Sequence, residues 1–473
     1  MSSTSQSLSS ATASSERQSW FNYRTIWRWH FYAGLFCMPF VIWLSITGSI
    51  YLFKPQIERF LDRPYDSLSI LGPRATAEAQ VKAALAAVPG SSLHYYELPR
   101  TPESASRVIV GRNTDEFRVY VHPQNLQILK VVNEDSRPMK VIFRLHGELL
   151  MGDRGSMLVE LAASWAIVMV LTGIYLWWPR QSEKLAGVVF VRIRQGKRIF
   201  WRDLHAVTGV WVSAFALFLL LTGLPWAKSW GGYLKKARAL NGASTLRQDW
   251  TTGRSSEIAE RVAMNHDNMP GMEGMSMEHA EHMGHMRHLA PDPDSYAPLD
   301  KMIATVAPLG LAYPVLISPP THPGGAWTAK SDAQNRPLRE NLTLDPKSGA
   351  ILKREGFRQR GLIDRMVGIG VAAHEGQLFG LFNQLLGLFT AIGLVLLSVS
   401  AVVLWWRRRA VGVLGAPVQT RKPRFSWGLA LLATAFGLYL PMLGISLLLV
   451  LLVERFILRN IPSTRLWLGL SDT

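Results

Sequence analysis

The stretch His374–Trp406 reads HEGQLFGLFNQLLGLFTAIGLVLLSVSAVVLWW and runs directly into Arg407-Arg408-Arg409. An earlier stretch, His146–Trp178, reads HGELLMGDRGSMLVELAASWAIVMVLTGIYLWW and runs into Pro179-Arg180. Both open on a histidine beside Gly and Glu, cross an apolar span and end on a Trp pair at identical spacing. A second match lies upstream of each: His30 precedes Thr47-Gly48 by the same interval that separates His205 from Thr222-Gly223. The pattern predicts a duplicated chain in which each copy offers two histidines at equivalent places.

The chain has 473 residues, 48% of them hydrophobic, with 17 Trp, and several apolar runs exceed the length needed to cross a bilayer. The net charge of +17 follows membrane topology, because the basic residues lie mostly in short loops between spans, so no nucleic-acid partner is expected. A single cysteine, Cys37, excludes an intrachain disulfide, a C-x-x-C metal site and covalent C-x-x-C-H haem attachment. The Ser-rich start lacks the basic-then-apolar order of a cleaved signal, so the first span is expected to be retained.

In chain order, residues 1–26 read as a cytoplasmic tail, 27–53 as the first span and 54–145 as an external α+β domain. In that domain AEAQVKAALAAVPG reads as a helix, and VIVGR, FRVYVHP and LQILKVV as strands. Residues 146–178 are a histidine-bearing lead-in and second span, and 179–204 a basic cytoplasmic loop. A third span follows over 205–226, and 227–373 form a second external domain in which LDKMIATVAPLG is the helix and LTLDPKSGAILKRE the strand pair. Residues 374–406 are the second lead-in and fourth span, and 407–425 another basic loop. Residues 426–453 form a fifth span, read as one helix kinked at Pro441, which places the tail 454–473 outside, where Arg455, Arg459 and Arg465 run against the positive-inside rule. The fold class is thus a mainly α membrane protein: duplicated helix pairs making a four-helix core, a fifth C-terminal span and two external α+β domains.

Spans one and three run in the same direction, so an axis along the membrane normal relates the halves and places equivalent residues at one depth. His30 and His205 then face each other near the cytoplasmic surface, and His146 and His374 near the outer one. Histidines near a bilayer are costly unless paired or coordinated, and neutral imidazole is a natural axial ligand of haem iron. Two stacked bis-histidine haems b would make an electron path across the membrane. Nearby cations could receive their propionates: Arg24, Arg28 and Arg202 inside, Arg144 and Arg365 outside. The pairs Thr47-Gly48, Thr172-Gly173, Thr222-Gly223 and Ser400-Ala401 would let helices or a flat macrocycle approach closely.

Between Met264 and His288 the second external domain carries MNHDNMPGMEGMSMEHAEHMGHMRH, without a counterpart in the first. Its Met264, His266, Met269, Met272, Met275, Met277, His279, His282, Met283, His285, Met286 and His288 offer thioether and imidazole ligands suited to copper, as a set rather than as assigned ligands. The alternative is a low-complexity linker.

The segments WRWHFYAGL, HGELLMG, RDLHAVTGVW, AAHEGQLFG and the terminal LWW motifs resemble the PepSY-associated transmembrane proteins of bacteria, and VYVHPQNLQILKV and LTLDPKSGAILKRE resemble the closing part of PepSY domains. The resemblance covers roughly residues 20–410. It implies that His30, His146, His205 and His374 are haem ligands and that the external, PepSY-like domains help form a periplasmic substrate site, as in siderophore reductases with two b-type haems. The resulting expectation is an inner-membrane di-haem metalloreductase acting on a periplasmic ferric siderophore or Cu(II). No G-x-G-x-x-G follows a predicted strand and opens a helix, so the electrons are expected from quinol or a cytoplasmic reductase. The rival expectations are a non-enzymatic copper-handling membrane protein and a PepSY-based protease inhibitor or sensor.

Overall fold

The computed structural model describes residues 23–179, 185–240, 296–320, 324–417 and 427–470. Four long helices form the core: α1 (Tyr23–Leu52), α5 (Gly152–Trp177), α6 (Lys197–Gly223) and α10 (Leu381–Arg408). Each is long and apolar enough to cross a membrane. They pack as a ring, α1 on α5, α5 on α6, α6 on α10 and α10 on α1. Small residues sit at the contacts, among them Ala33, Cys37, Ala162, Ala166 and Ala216, all buried. Small side chains let helices approach where lipid supplies no hydrophobic drive between them. Trp43, Ile46, Leu158, Phe218, Leu385, Phe389 and Ile392 point outward, the lipid-facing surface of a membrane protein.

Two shorter helices enter the core at one end. α4 (Pro138–Glu148) precedes α5, and α9 (Leu362–His374) precedes α10. His146 and His374 lie in their last turns. Left-handed backbone at Leu149, Leu150 and Gly152 breaks α4 from α5, and Gly376 and Gly380 do the same between α9 and α10. At the same end α1 gives way to α2 (Lys54–Asp62), where Pro55 cannot continue the helical hydrogen bonding. α6 gives way, after a short turn Leu224–Trp226, to α7 (Lys228–Leu240). Buried Glu160 of α5 accepts the backbone N–H groups of Ser229 (2.8 Å) and Trp230 (3.1 Å), which satisfies orphan donors in the first turn of α7.

Over this end lies one antiparallel sheet. Its strands are β1 (Ser92–Glu97), β2 (Ser106–Arg112), β3 (Asp115–Val121), β4 (Ile128–Asn133), β5 (Val315–Ser318), β6 (Trp327–Ser331), β7 (Glu340–Leu344) and β8 (Ile351–Gly356). The order is β4-β3-β2-β1-β5-β6-β7-β8. The expected helices appear as α3 (Ala77–Ala87), capped by Thr76, and α8 (Leu299–Val306). Where two separate domains were expected, the two halves share a sheet and a core. β1 pairs with β5 through Tyr96↔Ile317 and Glu97↔Leu316, which removes two exposed edges. Val81, Ala84, Val108, Val119, Leu299, Met302, Ile317, Trp327 and Leu342 belong to one buried cluster on the helix-covered face.

The opposite face is polar and reaches toward the bundle. Asp62, at the end of α2, accepts from Tyr120 Oη at 2.9 Å, and Asp66 accepts from Arg107 at 2.7 Å. Glu97 binds both Arg118 and Tyr313, the latter from the second half of the chain. Burial works to raise the Glu134 carboxyl, but Arg118 and Arg137 outweigh it and hold it at about 2. This brace therefore stays charged across the physiological range.

The C-terminal region does hold a fifth stretch long and apolar enough to cross a membrane, Pro441–Asn460, but residues 426–453 are not the expected single kinked helix. The region folds as α11 (Trp427–Tyr439) and α12 (Pro441–Phe456), with Leu440 in an extended conformation between them. The chain folds back there: a Cβ built on Gly444 would lie 2.8 Å from the carbonyl oxygen of Gly437, a contact no continuous helix could make between residues seven apart. The apex is seated by Leu440 and Leu443 against Ile167 and Leu224, and by Tyr439 against Trp230 (ring centroids 5.9 Å). The tail therefore does not end beside the sheet. Its α13 (Pro462–Leu468) lies at the opposite end of the bundle, where Tyr32 Oη donates to Leu468 O (2.7 Å) and Arg28 to Gly469 O (2.8 Å) and Pro417 O (2.7 Å). Arg455, Arg459 and Arg465 thus join the basic loop at one end, and their conflict with the charge rule disappears. In a Cys37→Ala background, cysteines placed at Val411 and Asn460 should label from the same side of the membrane, and Asn125 from the other. Labelling of Asn460 together with Asn125 would rule out the hairpin.

Candidate functional site: two facing histidine pairs

The ring of four helices brings the four sequence-selected histidines together in twos. The His30 and His205 ring centroids are 6.4 Å apart at an interplanar angle of 77°, at the end away from the sheet. His146 and His374 are 6.4 Å apart at 78°, at the sheet end. Each pair takes one ring from each half of the chain.

One ring nitrogen of each histidine is committed to a neighbouring helix. His30 Nδ1 lies 3.0 Å from Met169 O and 3.2 Å from Thr172 Oγ1. His205 Nδ1 lies 3.2 Å from Leu397 O and 3.1 Å from Ser400 Oγ. His146 Nδ1 lies 3.0 Å from Thr47 Oγ1, and His374 Nδ1 3.0 Å from Thr222 Oγ1. A carbonyl oxygen can only accept, so Nδ1 of His30 and His205 carries the proton. At the other two the same follows through the hydroxyl. Thr47 donates to Trp43 O (2.9 Å) and Thr222 to Phe218 O (2.7 Å), so each oxygen accepts from the imidazole. The tautomer leaves the Nε2 lone pair of all four rings available, and no hydrogen bond among the described residues takes it up. A hydrogen bond that fixes the non-ligating nitrogen is what orients a metal-binding histidine.

The glycine after each threonine has a specific use. A Cβ at Gly173 would stand 3.0 Å from His30 Cε1, one at Gly48 3.1 Å from His146 Cε1, and one at Gly223 3.4 Å from His374 Cε1. The missing side chain lets the ring lie against the helix that holds it. The sequence shows these Thr-Gly pairs, but their role as histidine supports becomes visible only once the helices are side by side.

A metal–imidazole bond of about 2 Å on each side, plus the distance from each nitrogen to its own ring centre, accounts for a centroid separation near the observed one. Among the described residues no group of three or more His, Cys, Asp or Glu could hold a bare metal ion. Two facing imidazoles without a third protein ligand suit an ion whose remaining positions a flat macrocycle supplies, and the chemistry of the donor set fits haem.

The cations divide. Arg24 is exposed in the first turn of α1. Arg28 is buried and bound to the two tail-side carbonyls described above. Arg202 donates to Asp203, which also binds Arg192 and is fully buried. At the sheet end, Arg144 has its Nε 4.0 Å from Glu148, and the Nε atoms of Arg144 and Arg365 are buried without hydrogen-bond partners among the described residues. Sequence reasoning missed Arg336, whose Nη1 bonds Glu375, next to His374, at 3.0 Å with both side chains buried. Removing one partner of such a pair costs about 3–5 kcal/mol. Its guanidinium stands 5.5 Å from the centre of the Trp226 ring, which packs on Phe143 at 5.4 Å. The candidate copper ligands from Met264 to His288 lie outside the described residues.

Comparison with curated proteins gives no match. The family model described as the PepSY-associated TM region matches residues 27–408, from the second turn of α1 to the end of α10 and through both histidine pairs, and the chain belongs to that family.

Proposed function

We propose that this protein is a di-haem b membrane oxidoreductase that carries electrons along the bundle to a metal complex at its sheet end. The observation that carries the reading is the set of two facing histidine pairs, each ring with Nδ1 held and Nε2 free. We infer a duplicated origin for the two helix pairs, supported by the matching histidine, Thr-Gly and Trp-Trp spacings and by the mirrored strand order about β1–β5. The basic loops and tail favour the end away from the sheet as cytoplasmic, which makes the sheet periplasmic and the membrane a bacterial inner membrane.

Haem iron, when bound, supplies one-electron Fe(III)/Fe(II) chemistry. The chain's part is placement. His30 with His205, and His146 with His374, would hold the two groups. Thr172, Ser400, Thr47 and Thr222 fix ring orientation, and the apolar helices keep water from the path. Arg144 and Arg365 are suited to propionates at the sheet end, and Arg24 and Arg202 at the other. Arg28 serves the tail instead. One electron arrives from quinol or a cytoplasmic reductase and one is given to a ferric siderophore or Cu(II), which becomes Fe(II) or Cu(I). The purified protein, oxidised and then dithionite-reduced, should show the split α and β bands of low-spin six-coordinate haem b. A colourless preparation from haem-replete cells would end this reading.

Copper as the acceptor, or as bound cargo of a copper-handling protein, is favoured by one feature, the Met264–His288 composition. Deleting that segment should leave haem content unchanged and lower Cu(I) binding. Equal copper stoichiometry with and without it would make the segment an inert linker.

A further inference from the structure

We infer a carboxylate-binding site at the sheet end of the bundle, formed by Arg336 and Trp226 with Arg144 and Arg365 beside them. It rests on the haem reading only for the identity of one of its two candidate ligands. The turn Leu224–Trp226, the helical turn Arg336–Leu338, α4 and α9 meet there. Phe143, the neighbour of Arg144, packs on Trp226, and a Cβ at Gly368, one turn from Arg365, would stand 3.8 Å from Arg336 Cβ.

Among the described residues, four N–H donors of the segments that meet here are buried without a hydrogen-bond acceptor: Trp226 Nε1 and the Nε atoms of Arg144, Arg336 and Arg365. The Arg336 side chain is 6% exposed. Its Nη1 serves Glu375 and Gln334 O, so the ion pair beside His374 is satisfied while the Nε edge is not. Buried donors are almost always paired, and a cluster in which N–H donors outnumber the one unpartnered acceptor beside Arg336, Asn335 Oδ1, calls for a ligand that accepts. A carboxylate does so with two oxygens and matches the planar edge of a guanidinium. The indole N–H beside it adds a neutral donor with no acceptor capacity. Two carboxylates could come here: a propionate of a macrocycle held by His146 and His374, or an acidic arm of the metal complex to be reduced.

Two conservative variants of the full-length, haem-loaded protein separate these. Trp226→Phe keeps an aromatic ring beside Arg336 but removes the N–H. Arg336→Lys keeps a cation for Glu375 but removes Nε–H. If a propionate is the ligand, its bending bands in the resonance Raman spectrum shift in both variants, and KM for ferric citrate stays put. If the substrate's carboxylate is the ligand, the bands stay put, KM for ferric citrate rises about tenfold, and KM for an uncharged ferric trihydroxamate does not. If the bands and both KM values are unmoved in Trp226→Phe, whose haem spectrum certifies the fold, the donors serve a buried water and the proposal fails. A wild-type chain without haem would sink the proposed function instead. Citrate titrated into that chain still decides the site. A change in tryptophan fluorescence that Trp226→Phe abolishes supports it, and no change in the wild type overturns it.

Discussion

His146→Ala or His374→Ala should abolish the sheet-end haem and leave the other in place, so that haem per chain falls to about half. His30→Ala or His205→Ala should do the converse. Each pair draws one ring from α1 or α4 and one from α6 or α9, and the rings stand 6.4 Å apart, so neither ring has a substitute on its own side. The two pairs sit at opposite ends of the bundle, so damage to one need not reach the other. Thr47→Val gives a graded control: it removes the hydroxyl that accepts from His146 Nδ1 but keeps the volume, and should weaken haem retention about 10–100-fold. Haem content is read by pyridine haemochrome, and the surviving site by its redox midpoint. Full haem content in all four alanine variants would sink the assignment.

The histidines were legible in the sequence because two independent spacings, histidine to Trp-Trp and histidine to Thr-Gly, repeat in both halves. Parallel span directions then force equivalent residues to one depth. The supports of those histidines were visible as Thr-Gly and Ser-Ala pairs, but not their task. His30 reaches Thr172 on α5 and His205 reaches Ser400 on α10, and only tertiary packing reveals which helix lies beside which. The same limit hid the shared sheet. β2, β3, β4, β7 and β8 announce themselves as β-branched runs between turn residues, whereas β5 has four residues, and its pairing with β1 joins positions more than two hundred residues apart. At Pro441 the local rule was right about a break and wrong about its size. A proline in a long helix allows a kink or a stop, and backbone contact between Gly437 and Gly444 made the reversal feasible. Arg455, Arg459 and Arg465 had pointed to that outcome through their charge alone. Arg336 and Trp226 carried no signal, since nothing in their sequence neighbourhoods relates them to His374.

Dithionite-reduced protein should be reoxidised by a ferric siderophore or by Cu(II) at least about tenfold faster than by dissolved oxygen. The expectation rests on the asymmetry of the molecule. The sheet stands over one histidine pair only, and α2 and α7 lead out of the bundle at that end. A relay that returned electrons to the membrane pool would have no use for an eight-stranded cover above one terminus. The face turned toward the bundle is polar, in contrast to the helix-covered one. It carries Arg107 and Tyr120, tied by Asp62 to α2, and Arg118, held by Glu97 and Glu134, while the apolar residues of the same strands are buried on the other face. A metal complex admitted between sheet and bundle would stand near His146 and His374, the shortest route for a single electron. Stopped-flow traces at the Soret band, one acceptor at a time, test this. The His374→Ala variant should lose the fast phase with either acceptor, because the haem that serves the sheet end is gone. If neither metal species outpaces oxygen in the wild type, the sheet is not a platform for metal reduction, and an exchange of electrons with quinone or a sensory role takes its place.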